Sequence, residues 1–159
     1  MLNHKIICEW LNSDQLNVFA TITLKKSIWI QSFGGDYILQ SITGEHIRKV
    51  GWLIRDRVSK MAYGTRAFKN KNIPPFLVFN EYDSSDRPHL HIIASMPICM
   101  DAFEYNTKFY SIANNLDWVY NQIDIRAIAK GEAIKVIRYS LKSGSEAFLP
   151  EASFIPCID

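Results

Sequence analysis

The stretch FLVFNEYDSSDRPHLHIIAS, residues 76–95, decides how this chain folds. Two runs rich in β-branched and aromatic residues, 76–82 and 88–95, flank the polar cluster 83–87. Such a cluster of Asp, Ser and Arg between two strand-like runs is typical of a turn. The segment therefore predicts an antiparallel β-hairpin.

Three side chains that can bind metal fall on one face of this hairpin. Alternate residues of a strand point to the same side, so His89 and His91 share a face. A five-residue turn over 83–87 pairs Glu81 directly with His89, and directly paired residues project from the same side of a sheet. Two imidazoles and a carboxylate leave coordination positions for water or substrate, as a catalytic divalent ion requires. The alternative is a structural histidine pair, and a one-residue slip would turn Glu81 away and bring Tyr82 or Asp83 into its place.

A helical pattern near the C-terminus presents a tyrosine among cations. When residues 132–142 are plotted at 100° per residue, the apolar residues form one broad face. Tyr139 lies off that face, close to Lys135, Arg138 and Lys142. Cations favour a phenolate and also attract a phosphate that it could attack. The alternative is an amphipathic helix whose tyrosine straddles the boundary of the core.

The rest of the pattern predicts an α+β sandwich, an antiparallel β-sheet with helices packed mainly on one face. A further strand-like run, 28–33, extends the sheet or turns back along it. The four tryptophans are expected in the core or at its edge, and no structure is predicted for the tail 145–159. The other predicted strands are 18–24 and 121–128, the predicted helices are 44–63, 102–116 and 132–143, and the tryptophans are Trp10, Trp29, Trp52 and Trp118.

Charge and composition narrow the classes of partner and compartment. The net charge is +2, but residues 45–71 hold eight cations against two acids, which favours either a phosphate-rich partner or a solvated helix face. No apolar run approaches the roughly 20 residues of a membrane span. The three cysteines are widely spaced, which argues against a disulfide framework or a cysteine zinc site and favours a reducing, cytoplasmic location.

Taken together, these motifs resemble those of the HUH endonucleases, in particular the single-tyrosine initiators of rolling-circle replication. His-Leu-His at 89–91 matches their metal-binding motif, and Glu81 stands where their third ligand stands. Tyr-Ser-Leu-Lys at 139–142 fits their YxxK catalytic motif, and Phe-Ala-Thr-Ile-Thr-Leu at 19–24 is similar to their first motif. The motifs occur in family order over most of the chain. The resemblance implies one HUH-type nuclease domain over residues 1–159 with a ferredoxin-like or RRM-like core.

The family resemblance also implies a chemistry. Glu81, His89 and His91 would hold Mn²⁺ or Mg²⁺ at the scissile phosphate. Tyr139 would attack that phosphate, leaving a 5′-phosphotyrosine link and a free 3′-OH, with Lys142 holding the phosphate or the surroundings of the ion. Because Ser143 follows at tyrosine plus four, the two-tyrosine arrangement of some relatives is absent, and a second cleavage needs another subunit, such as a homodimer partner, or a second visit.

The expected partner is single-stranded or hairpin DNA, with a host helicase as a further candidate and no membrane. If the element is viral or plasmid-borne, the compartment is the host cytoplasm. Candidate DNA-contacting cations are Lys25, Lys26, Arg48, Arg55, Lys135 and Arg138.

Other functions remain open at this stage. A transposase or relaxase of the same superfamily shares the hairpin. A non-catalytic single-stranded nucleic-acid-binding protein would explain the cations but not the convergence of Glu81, His89 and His91. A metal-dependent hydrolase that uses water would leave Tyr139 merely structural.

Overall fold

A computed structural model of the chain describes residues 15–156. It contains a four-stranded sheet, a separate two-stranded sheet and three α-helices. In chain order the strands are Val18–Leu24 (β1), Ser27–Gln31 (β2), Tyr37–Ser41 (β3), Leu77–Tyr82 (β4), Pro88–Ala94 (β5) and Val119–Ala127 (β6); the helices are Gly44–Lys69 (α1), Ala102–Asn114 (α2) and Ala133–Ser140 (α3).

The four-stranded sheet has the order β4-β5-β1-β6, and every neighbouring pair is antiparallel. With α1 between β1 and β4 and α2 between β5 and β6, this is a ferredoxin-like α+β fold. The predicted fold class is confirmed. Within residues 15–156, no helix combines the length and apolarity needed to cross a membrane.

The two faces of this sheet are covered differently. The alternation in β1 sends Ala20 and Ile22 into the larger core, where α1 and α2 pack. The opposite face carries Phe19, Thr21 and Thr23 of β1. On the neighbouring strand β5, His89 and His91 lie on the same face. Helix α3 covers part of that second face through a smaller apolar cluster.

Helix α1 follows the apolar spacing that the sequence predicts. Thr43 caps its first turn, since its hydroxyl accepts from the backbone N–H of His46. Gly64 interrupts the helix with φ 84°, a left-handed conformation that glycine adopts without steric cost, so the regular helix ends where predicted. Its buried apolar residues recur at three- and four-residue spacing: Ile47, Val50, Ile54 and Val58.

Helix α3 is shorter than the predicted 132–143 and ends at Ser140. Ala133, Ile137 and Leu141 pack in the smaller apolar cluster against β4 and β5. Lys142 therefore lies just beyond the helix, in a turn in which its backbone N–H donates to the carbonyl of Tyr139 at 3.1 Å.

The run at 28–33 does not extend the main sheet. It contributes β2 to a hairpin with β3, whose outward face has no second layer among the described residues. Trp29 is consequently 66% exposed, so the expectation of a position in the core or at its edge is wrong for it; Trp52 on α1 is 43% exposed and is not in the core. Trp118 is partly buried against the main core, and Trp10 lies outside the described residues.

The tail, for which the sequence predicts nothing, lies along the outer side of the first part of β4. Phe148 bridges to Phe79 and Phe154 bridges to Phe76, and we call residues 148–154 the edge segment. Arg55 on α1 donates to the carbonyls of Glu151 at 3.1 Å and Ser153 at 2.9 Å, which fixes the segment to the helix.

Candidate active site

The histidine hairpin has the predicted register. Glu81 pairs with His89 and Phe79 pairs with His91 across β4 and β5. Because β5 is an interior strand of the sheet, its histidines face side chains from both neighbours. His91 is 5% exposed, whereas His89 is only partly buried.

Each imidazole contacts its own carboxylate. Nε2 of His91 lies 2.7 Å from Oε2 of Glu81, and Nε2 of His89 lies 3.3 Å from Oδ2 of Asp83. Residues 15–156 contain no group of three or more His, Cys, Asp or Glu side chains already gathered at metal-binding distances. Glu81, His89 and His91 lie on one face of the hairpin. Asp83, the alternative acid predicted from the sequence, contacts His89 on the same face.

The turn of the hairpin holds Asp83 in place. Its Oδ1 accepts backbone N–H groups of Ser85 at 2.8 Å and Arg87 at 2.9 Å, as an Asx turn requires. The backbone hydrogen bond from Arg87, with smaller contributions from His89 and Ser85, outweighs desolvation and lowers the Asp83 pKa to about 2. Its second oxygen remains directed at His89 as a charged acceptor.

Strand β1 supplies partners for the other nitrogen of each ring. Oγ1 of Thr21 lies 3.2 Å from Nδ1 of His91, and Oγ1 of Thr23 lies 3.2 Å from Nδ1 of His89. Phe19 stacks on the His91 ring, with centroids 5.5 Å apart and an interplanar angle of 16°. These threonines were not predicted as site residues, although the alternation in β1 puts them on one face.

The tyrosine from α3 stands beside this hairpin. The edge of the Tyr139 ring meets the His91 ring, with centroids 5.9 Å apart, and the side chain is about half exposed. Nζ of Lys142 lies 3.2 Å from the phenolic oxygen and 2.8 Å from Oε1 of Glu81. One lysine therefore connects the predicted nucleophile to a predicted metal ligand.

The charges of these groups depend on one another. Burial by itself raises the pKa of Glu81, but hydrogen bonds from Lys142 and His91 outweigh it and hold that pKa below its usual value. The hydrogen bond to Glu81, followed by the one to Tyr139, raises the pKa of Lys142. Burial lowers the pKa of His91 more than its contact with Glu81 raises it. A carboxylate, a neutral imidazole and an ammonium group therefore surround the phenol.

An open groove leads away from the phenol along α3. Its volume is about 370 Å³, and Phe19, Ile128 and Val136 form its apolar part. Arg126 and Lys135 line its rim, each already paired with an acid on its own element. Apolar walls with cationic rims suit a nucleobase with its phosphates.

The predicted DNA-contacting cations do not all lie near this site. Lys135 borders the groove, and Arg138 projects from the same helix. Arg48 and Arg55 belong to α1, which packs on the face of the sheet opposite the histidines, and Arg55 binds the edge segment. Lys25 and Lys26 form the link between β1 and β2, where Lys25 donates to the carbonyl of Asp117 at 2.7 Å.

By residue type, two imidazoles and two carboxylates suit a divalent cation, although these side chains are not gathered at metal-binding distances. The threonine hydroxyls lie beside both Nδ1 atoms, which leaves Nε2 of His89 and His91 as the nitrogens open to a cation, and both Nε2 atoms face carboxylates. Carboxylate oxygens suit Mg²⁺ and Mn²⁺, and imidazole nitrogens suit Zn²⁺ and other transition metals. No protein family, curated protein or solved structure matches this chain. Function is accordingly inferred from the motif order and from the geometry of this site.

Proposed function

We propose that this protein is a metal-dependent endonuclease and strand transferase of single-stranded DNA, acting through a covalent 5′-phosphotyrosine intermediate. The observation that carries this proposal is the bridge by Lys142 between Tyr139 and Glu81, beside His91. A structural tyrosine at a core boundary has no need of such a bridge. A water-using hydrolase has no need of a half-exposed phenol at this position.

The chain's own residues account for the exchange of bonds. The phenolic proton of Tyr139 passes to solvent, and the ammonium of Lys142 stabilises the resulting phenolate by hydrogen bonding. The phenolate oxygen forms a bond to phosphorus while the bond from phosphorus to the 3′ oxygen breaks, and that oxygen takes a proton from solvent. No water is consumed, so a returning 3′-OH can reverse the step and rejoin strands.

The predicted ligands complete the site. Glu81, His89 and His91 would hold the cation, with Asp83 available through its contact with His89. A divalent cation bound there would polarise a phosphate oxygen and neutralise developing charge. The groove beside Tyr139 then receives the adjacent nucleotide, which is accessible only in single-stranded or extruded DNA.

The biological role that fits this chemistry is the initiation of rolling-circle replication of a plasmid or virus. A transposase or relaxase would use the same bond exchange, so these roles differ in the DNA that is recognised rather than in the site. Which role applies depends on the DNA sequence that the protein recognises. That sequence has to be identified by testing candidate hairpins.

The experiment is an adduct assay on a denaturing gel. The protein is incubated with a 5′- or 3′-labelled set of single-stranded oligonucleotides and Mn²⁺, and the expected product is a protein–DNA adduct together with a fragment ending in 3′-OH. Tyr139→Phe should abolish the adduct. Tyr110→Phe is the matched control, because Tyr110 is a partly exposed helical tyrosine on α2, which packs on the opposite face.

Each other outcome identifies a different function. Cleavage that persists in Tyr139→Phe, without adduct, would indicate a hydrolase that uses water. A shift of DNA on a native gel with no cleavage in Mn²⁺ or Mg²⁺ would indicate a binding protein. Loss of the adduct in both tyrosine variants would remove the support for Tyr139 as nucleophile.

A further inference from the structure

Two threonines on β1 make the same contact with the two histidines. Thr21 pairs with His91 and Thr23 with His89 in the register of β1 and β5, and both hydroxyl–Nδ1 distances are 3.2 Å. Because residues 21 and 23 point to one side of β1, a single strand orients both rings. The repetition of the contact at both positions indicates a shared role.

The chemistry of these groups allows two states of the same contact. A neutral imidazole has one N–H and one nitrogen lone pair, whereas a hydroxyl can donate or accept. When Thr21 donates to Nδ1 of His91, Nε2 carries the proton and donates to Glu81, as the 2.7 Å distance requires without a cation. When Thr21 accepts from the Nδ1–H, the Nε2 lone pair is free for a cation.

We propose that Thr21 and Thr23 are positioning residues that hold His91 and His89 through Nδ1 and permit the change of tautomer needed for cation binding. The threonine hydroxyl rotates from donor to acceptor, and the imidazole proton moves from Nε2 to Nδ1 by exchange with solvent, with no net change in protonation. This inference rests on the proposed function, since it takes Nε2 as the metal-binding atom.

The packing around the pair supports an orienting role. Each contact has one buried member, His91 at 5% exposure beside Thr21 and Thr23 at 4% exposure beside His89, so water has limited access to replace a missing hydroxyl. Phe19 stacks on the His91 ring and fixes the plane of the ring. The hydrogen bond at Nδ1 then restricts rotation of the ring within that plane. A ring fixed by stacking and by one hydrogen bond presents Nε2 in one direction.

The test compares Thr21→Val, which removes the hydroxyl at nearly constant shape, with Thr21→Ser, which keeps it. Thr107→Val is the control, because Thr107 is exposed on α2 on the opposite face of the sheet. Mn²⁺ binding is measured from the electron paramagnetic resonance of the free ion. The Thr21→Val affinity should fall roughly 10- to 100-fold, as for other lost partners of metal-binding histidines, while Thr21→Ser and Thr107→Val retain most of it.

A second readout needs no activity and no paramagnetic ion. The ¹⁵N resonances of the histidine rings report the tautomer of each ring in the cation-free protein and after addition of Zn²⁺. In the wild type, addition of Zn²⁺ should move the proton of both rings to Nδ1. Thr21→Val should change the tautomer ratio of His91 and leave that of His89 unchanged, and Thr23→Val should do the reverse.

The outcomes separate this inference from the proposed function. An adduct-forming protein whose Thr21→Val variant binds Mn²⁺ with unchanged affinity would overturn the inference and leave the nuclease proposal standing. A protein that forms no adduct, yet shows the residue-specific tautomer changes and the loss of Mn²⁺ affinity, would support the inference and refute the nuclease. Equal disturbance of both rings by either variant, with a lower melting temperature, would indicate a packing role and overturn the inference.

Discussion

Replacing Arg55 by Met distinguishes a structural role for this cation from the DNA contact that the sequence suggests. The guanidinium donates to the carbonyls of Glu151 and Ser153 and pairs with Asp56 at 2.7 Å, and both side chains of that pair are 14% exposed. Met keeps the aliphatic stem but removes all three contacts. The edge segment then loses its attachment to α1.

The magnitude follows from the two hydrogen bonds to carbonyls. A buried hydrogen bond from a charged donor contributes about 1.5–3 kcal/mol, and because the contact with Glu151 is exposed, the total for both falls below twice that range, to about 2–3 kcal/mol. For a chain of this size, such a loss lowers the melting temperature by roughly 4–12 °C. The free energy of unfolding from urea titration provides the second measurement.

The matched control is Arg57→Met, which removes an exposed cation two residues further along α1. We expect Arg57→Met to change the free energy of unfolding by less than about 0.5 kcal/mol, as surface substitutions usually do. At a temperature where both variants are folded, Arg55→Met should bind single-stranded oligonucleotides with wild-type affinity. If Arg55→Met weakens DNA binding and leaves stability unchanged, then Arg55 is a DNA contact and the edge segment is held by other interactions.

Two further predictions concern the site and the core. His91→Ala should abolish DNA cleavage in Mn²⁺ and keep most of the affinity for single-stranded DNA, measured by fluorescence anisotropy, because phosphate contacts supply most of that affinity; full cleavage by this variant would refute the metal assignment. Gly51→Val should destabilise the protein by about 1–3 kcal/mol in urea titration, because a Cβ at Gly51 would stand 3.0 Å from side-chain atoms of both Val78 and Ala152. Gly44→Ala, where an added Cβ meets only Arg48 at 3.5 Å, is its control, and equal stability of the two variants would contradict the packing described here.

The hairpin could be predicted from the sequence because its determinants are local. A short turn fixes which residues pair, and the two-residue alternation fixes which side they face, so the pairing of Glu81 with His89 needs no long-range information. The periodicity of 132–142 likewise places Tyr139 off the apolar face of its helix. These two predictions supplied Glu81, His89, His91 and Tyr139, but not the threonines of β1.

The rest of the site depends on contacts between distant segments. Helical periodicity shows which face of α3 is buried, but not that it packs on the histidine face of the sheet. The roles of Thr21 and Thr23 can be predicted only if β1 is known to lie beside β5. Thr21 and His91 are seventy residues apart in the sequence, so no local pattern shows their contact. The exposure of Trp29 was missed because hydrophobicity predicts burial, while a two-stranded hairpin leaves one face without a covering layer.

The edge segment has a consequence for how molecules of this protein could associate. It lies along the start of β4, where Phe79 and the preceding Phe76 pair with it, whereas among residues 15–156 no strand pairs with the outer side of β6. Two chains joined through β6 about a two-fold axis would leave only their two β4 strands as edges of the combined sheet, each lined in part by its edge segment. Strand addition through β6 would therefore join two copies, and the segment along β4 would hinder further growth of the main sheet.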